Sequence, residues 1–168
     1  EQIRNMDLSC PVFMFEELCL KEEDPGILEE IRGRRTALDP LYILFTSGST
    51  GIPKGVVVSH QVMINNMEWL EEEYGFCPED VMGNQAPLYF DVSDHDVYCP
   101  LKFGCSTIII PPELFTFPAR LMAFLNEERV TGIFWVPFAL CTAANLRALE
   151  AETPKYLKYI FFAGEVMP

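Results

Sequence analysis

The chain has 168 residues, 25 acidic against 12 basic side chains, a net charge of −13 and 49% apolar residues, which suits one soluble domain with a real core and is short for a two-domain enzyme. The acidic balance argues against nucleic acid or an anionic membrane surface as a main partner, because their phosphates are met by Lys and Arg. No run of about 18 apolar residues is present to span a membrane, and the polar opening Glu1-Gln2-Ile3-Arg4-Asn5 is no signal peptide, so no membrane insertion and a cytoplasmic location are expected.

Residues 1–40 read as an irregular lead-in to the same domain, with acidic pairs between short apolar clusters and a turn at Pro25-Gly26. From Leu41 the pattern sharpens. Tyr42-Ile43-Leu44-Phe45 reads as a buried strand, a Thr/Ser/Gly loop follows, and Val56-Val57-Val58 is a second strand. Ser59 is placed to cap a helix from about His60, whose Met63, Met67, Leu70 and Tyr74 share one face and which Gly75 ends. That apolar stripe is expected to be core, and His60 a structural residue.

Further strands are expected near Val81–Gln85, Cys105–Ile110, Gly132–Val136 and Tyr159–Phe162. Helices are expected from Pro118 and over Phe138–Leu149, and a loop over Tyr89–Asp96. Strands alternating with amphipathic helices, several of the strands apolar at every position, predict an α/β fold with a largely parallel sheet covered on both faces.

Six cysteines, Cys10, Cys19, Cys77, Cys99, Cys105 and Cys141, form no C-x-x-C pair and are expected as buried free thiols. The two histidines, His60 and His95, are far apart, and no metal site is predicted; Asp94-His95-Asp96 reads as a solvated helical turn.

The strongest chemical signal is Thr46-Ser47-Gly48-Ser49-Thr50-Gly51-Ile52-Pro53-Lys54-Gly55. Its three glycines let backbone approach a ligand, successive amides can cradle anionic oxygens, four hydroxyls add donors and Lys54 adds charge. A Walker loop would read G-x-x-x-x-G-K-[ST] ahead of a helix; here Lys54 lies between Pro53 and Gly55 and a strand follows.

This string, with its flanking strands, resembles the signature loop of the adenylate-forming (AMP-binding) superfamily, and the resemblance runs from about Leu41 onward. It implies that 41–168 is part of the large N-terminal domain of such an enzyme. By that resemblance Thr46, Ser47, Gly48, Ser49, Thr50, Gly51, Lys54 and Gly55 would hold the phosphates of ATP, with Thr46 and Lys54 assisting catalysis. A carboxylate would attack the α-phosphate and release pyrophosphate, with Mg²⁺ sharing the charge.

Two further stretches resemble amino-acid adenylation domains of the D-alanine–D-alanyl carrier protein ligase and nonribosomal peptide synthetase type. In Asn84 to Asp96, Phe90-Asp91-Val92-Ser93 matches the F-D-x-S segment, which implies that Phe90 and Asp91 meet the substrate and that Asp91 pairs with its ammonium. Asp91 as a helix cap near Val92 or Ser93 stays open, and the acidic Asp94 and Asp96 depart from the family's more apolar pattern. Phe161 to Pro168 resembles the strand-end G-E-x-x-P segment, implying that Ala163 and Gly164 line the acyl pocket, with Gly164 and Glu165 bordering the nucleotide and Glu165 a polar support. The D-alanine ligases have cysteine where this chain has Ala163.

The expected activity is ATP-dependent conversion of an amino acid to its adenylate, for a phosphopantetheine carrier protein. The alternatives are an acyl-CoA ligase for an acid without an amine, or a non-catalytic nucleotide-binding module. The family's nucleotide- and Mg²⁺-contacting segment and mobile C-terminal domain are expected beyond Pro168, so these 168 residues alone are expected to be inactive or nearly so.

Overall fold

The computed structural model describes residues 12–46 and 51–168. Contacts divide the chain into two units, the first ending at Asp39 and the second running Pro40–Pro168.

In the first unit, helix α1 spans Phe15–Leu18 and α2 spans Pro25–Arg34. The expected turn at Pro25-Gly26 is instead the start of α2. Asp24 caps it, accepting from the Gly26 and Ile27 amides at 2.9 and 3.1 Å. Pro25 fills the first helical position, where a missing N–H costs nothing. Arg34 reaches back one turn to Glu30 at 2.7 Å.

The second unit opens with an antiparallel hairpin of β1 (Pro40–Thr46) and β2 (Lys54–Ser59), which stands apart from the main sheet. β1 is not the buried strand its composition suggested: Ile43 is 51% and Phe45 73% exposed. Helix α3 (His60–Tyr74) has the expected ends, with the Val62 amide bonded to the Ser59 hydroxyl and Gly75 left-handed at φ 65°.

The parallel sheet has the order β4-β3-β5-β6, built from β3 (Val81–Asn84), β4 (Ser106–Ile109), β5 (Gly132–Trp135) and β6 (Tyr159–Phe162). The crossovers carry α4 (Asp94–Phe103), α5 (Pro118–Glu127), and α6 (Pro137–Asn145) with α7 (Ala148–Ala151). One apolar cluster packs Leu121, Leu125 and Ala139 with Ile133 and Trp135. Another packs Met63, Met67, Leu70, Phe76 and Phe103 with Met82. Gly83 allows this close approach, since a Cβ there would meet Val130 at 3.0 Å. The Trp135 indole donates to the Gly83 carbonyl at 2.9 Å, so its buried N–H is satisfied. At the sheet edge, Ile160 of β6 is 57% exposed, whereas Ile133 and Trp135 of β5 are buried.

Two other expectations change. The loop over 89–96 holds a 3₁₀ turn, Asp91–Ser93, that runs into α4. Pro100 lies inside α4 and has no N–H for the Asp96 carbonyl four residues back. The Thr107 hydroxyl of β4 takes that carbonyl instead, at 2.6 Å. The single helix expected over Phe138–Leu149 breaks at Arg147, left-handed at φ 55°, and the break buries Ala148 in the core.

Cys99 and Cys105 are buried free thiols, pushed by burial to pKa values of about 12 and 11, which makes them poor nucleophiles. Cys19 is exposed, and Cys10 lies outside the described residues. No helix among the described residues is long and apolar enough to cross a membrane.

Candidate functional site

A cavity of about 290 Å³ opens beside the C-terminal ends of β5 and β6. Ligand sites in open parallel sheets gather at this end, where the loops diverge. Phe134 of β5 and Ala163 and Gly164 after β6 form one side. Asp91, Val92, Asp94 and His95 from the 3₁₀ turn and α4 form another, and Tyr42, Val58, Val62, Met63 and Asn66 from the hairpin and α3 close it. Of the residues predicted to hold substrate, Asp91, Ala163 and Gly164 come together here. Phe90 does not: it lines an adjoining hollow with Leu88 and Tyr89, its ring tilted against that of Tyr89 with centroids 4.9 Å apart.

Asp91 lies in the first turn of the 3₁₀ helix rather than at a cap position, and no hydrogen bond from a described residue reaches its carboxylate. Three residues on, Asp94 accepts from the Tyr42 hydroxyl. Burial and the neighbouring Asp91 raise the Asp94 pKa, against the pull of that hydrogen bond. Burial raises the Tyr42 phenol and lowers His95, which is therefore neutral near pH 7 and stacks face to face on Phe134 at 4.1 Å. Among the described residues the wall thus carries two carboxylates and neither Lys nor Arg, a setting that favours a cationic group.

Asp94-His95-Asp96 is not the solvated turn expected. Asp96 is 3% exposed and its carboxylate receives the Asn84 amide at 2.7 Å, while its other oxygen has no partner among the described residues. Burial pushes its pKa up to about 6. Sequence reasoning also left out Tyr42, Asn66 and Phe134. The i, i+3 spacing of Asp91 and Asp94 was the one available signal that both share a face.

The hairpin register sets Thr46 directly opposite Lys54, and the Thr46 hydroxyl lies 3.5 Å from the Lys54 carbonyl. Lys54 is exposed and makes no ion pair with a described residue. Gly51 is left-handed at φ 79° with open space around it, whereas a Cβ on Gly55 would meet Ile43 at 3.1 Å. Ser47, Gly48, Ser49 and Thr50 lie outside the described residues. Among the described residues no group of three His, Cys, Asp or Glu side chains could hold a metal ion.

Compared with known families, residues 11–168 match the AMP-binding enzyme family. The chain belongs to the AMP-binding enzyme family. Among curated AMP-binding relatives it is 37% identical to vanchrobactin synthetase VabF of Vibrio anguillarum, over 89% of this chain and 6% of that protein. It is 36% identical to an L-proline–[L-prolyl-carrier protein] ligase of Pseudomonas fluorescens, over 77% of this chain and 26% of that protein. The chain therefore spans about a quarter or less of the relatives it matches. Among solved structures, the Vibrio cholerae adenylation domain AlmE in complex with glycyl-adenosine-5′-phosphate superposes with a TM-score of 0.68 at 26% identity, over 87% of this chain and 27% of that one. The α/β sheet is thus part of the large domain of an AMP-binding enzyme.

Proposed function

We propose that this protein uses ATP to activate an amino acid and then passes the acyl group to the phosphopantetheine thiol of a carrier protein. The observation that carries the reading is the cavity wall with two carboxylates and no cation, in a chain of the AMP-binding family whose relatives include a carrier-protein ligase. An ammonium group is the natural guest of such a wall, because a carboxylate meets it with a charge-assisted hydrogen bond. The volume suits a small or medium amino acid.

In this reading Asp91 holds the amine, and Ala163 and Gly164 border the acyl group. The carboxylate oxygen attacks the α-phosphorus, the bond to the bridging oxygen breaks, and pyrophosphate leaves with the electron pair. The loop from Thr46 to Gly55 cradles the departing phosphates, with Lys54 neutralising charge as it builds. The left-handed Gly51 and the exposed Lys54, which pairs with no acidic side chain among the described residues, suit that role. The thiol sulfur then attacks the acyl carbon and forms the thioester, the bond to the AMP oxygen breaks, AMP leaves with the electron pair, and the thiol proton is released. Mg²⁺ commonly shares phosphate charge in such reactions, but the described residues offer it no ligand set, and no step is assigned to it.

The test is substrate-dependent ATP–pyrophosphate exchange by the full-length protein, with D- and L-amino acids beside their deaminated analogues. Exchange with one amino acid and none with its deaminated analogue is expected. Exchange that ignores the amine would keep adenylate formation and favour the acyl-CoA ligase; no exchange with any acid would favour a non-catalytic module.

A further inference from the structure

Glu165 follows directly on two cavity-lining residues, yet it does not line the cavity itself. Its carboxylate accepts the Phe138 backbone N–H at 2.9 Å, across 27 residues of sequence. The reason lies at the start of α6. The residue before the helix, Val136, has no side chain able to cap it, and Pro137 in the first position has no N–H. Phe138 therefore supplies the first free amide, at a helix end whose dipole favours an anion. The usual local Ser, Thr, Asp or Asn is missing, and a carboxylate from a distant segment takes its place.

The two joined segments are two parts of the cavity wall. Phe134 ends its side of the wall two residues before Val136, and Gly164, at φ 90°, ends the other side one residue before Glu165. A Cβ on Gly164 would lie 4.0 Å from the Val136 side chain, an ordinary packing distance between the two segments. We propose that Glu165 is a positioning residue: bound to the Phe138 amide, it holds the Ala163–Gly164 wall against the Phe134–Val136 wall and so sets the width of the acid-binding cavity. This rests on the adenylation reading for what the cavity binds. It gives Glu165 a role through protein backbone rather than through contact with nucleotide.

The experiment compares Glu165→Ala, Glu165→Gln and Glu165→Asp in the full-length protein, measuring KM for the acid and for ATP separately and amide hydrogen exchange at Phe138. Glu165→Ala should raise the acid KM about tenfold, as loss of one charge-assisted cap predicts, and leave the ATP KM unchanged. Gln keeps an acceptor at full reach and should recover most of the loss; Asp keeps the charge but falls a methylene short and should resemble Ala. The Phe138 amide should exchange about tenfold faster in the Ala and Asp variants. A rise in the ATP KM alone, or unchanged Phe138 protection in both variants, would overturn the proposal. The exchange measurement stands whether or not an acid is turned over, so a wild-type protein that activates no acid would overturn the adenylation reading and not the tether.

Discussion

The two ends of the parallel sheet each bury a carboxylate, and they treat it in opposite ways. At the strand starts, Asp80 is fully buried and fully partnered: it accepts from the Cys77 amide at 3.0 Å, the Thr131 hydroxyl at 2.9 Å and Lys158 at 2.9 Å. Those residues lead into β3, β5 and β6, so one side chain staples three strand starts. Burial pushes its pKa up, but Lys158, the Cys77 amide and Thr131 outweigh it and the net shift is downward. Toward the strand ends, Asp96 has the Asn84 amide and, among the described residues, nothing for its second oxygen, and its pKa rises. One end of the sheet holds structure together, and the other keeps polar groups incompletely satisfied beside a cavity, where ligand-binding sites commonly carry such a burden.

This contrast can be broken by mutation. Asp80→Ala should cost about 4 kcal/mol of stability, because it strands buried donors and removes the partner of Lys158; urea unfolding measures this, and a loss below about 1 kcal/mol would deny the staple. Asp91→Ala should do the reverse, lowering amino-acid-dependent pyrophosphate exchange by about 10²–10³-fold while leaving the urea midpoint in place. Equal effects of the two on stability would erase the distinction between the ends.

The pH dependence sharpens it. Asp80 has a lowered folded pKa, so its contribution is present at neutral pH and is lost as pH falls through that depressed value. Asp96 has a raised one, so its contribution is most favourable below about pH 4 and is lost as pH rises through about 6. Asp96→Asn mimics the protonated form and should gain up to ~3 kcal/mol at pH 7 while flattening the stability profile between about pH 4 and 6. An unchanged slope in that window would show that Asp96 does not titrate there. The smallest effect is expected from Tyr42→Phe: with its hydroxyl donor gone, the Asp94 pKa should rise further, read by NMR titration of the carboxylate, and an unchanged pKa would show that the hydroxyl does not hold it down.

Much of this architecture was legible in the sequence. Ser59 and Gly75 gave both ends of α3, because a cap and a left-handed glycine act locally. The strand at Tyr159–Phe162 was equally clear from its run of aromatic and branched residues. What escaped depends on distant partners. Pro100 disguised α4, and only Thr107 of β4 makes its loss of a hydrogen bond tolerable. Asp96 looks solvent-bound beside Asp94 until Asn84 is brought against it. Within the candidate site, Asp91, Ala163 and Gly164 were readable from motifs, whereas Tyr42 and Phe134 enter the cavity through the packing of elements their local sequence says nothing about.

The hairpin pairing of Thr46 with Lys54 makes the intervening loop a ruler. Side chains alternate faces along a strand, so adding or deleting one residue between these positions would either shift Lys54 out of line with Thr46 or force a bulge to absorb the change. Libraries that randomise loop residues at fixed length should therefore yield many folded hairpins, whereas single-codon insertions and deletions should be depleted among active variants.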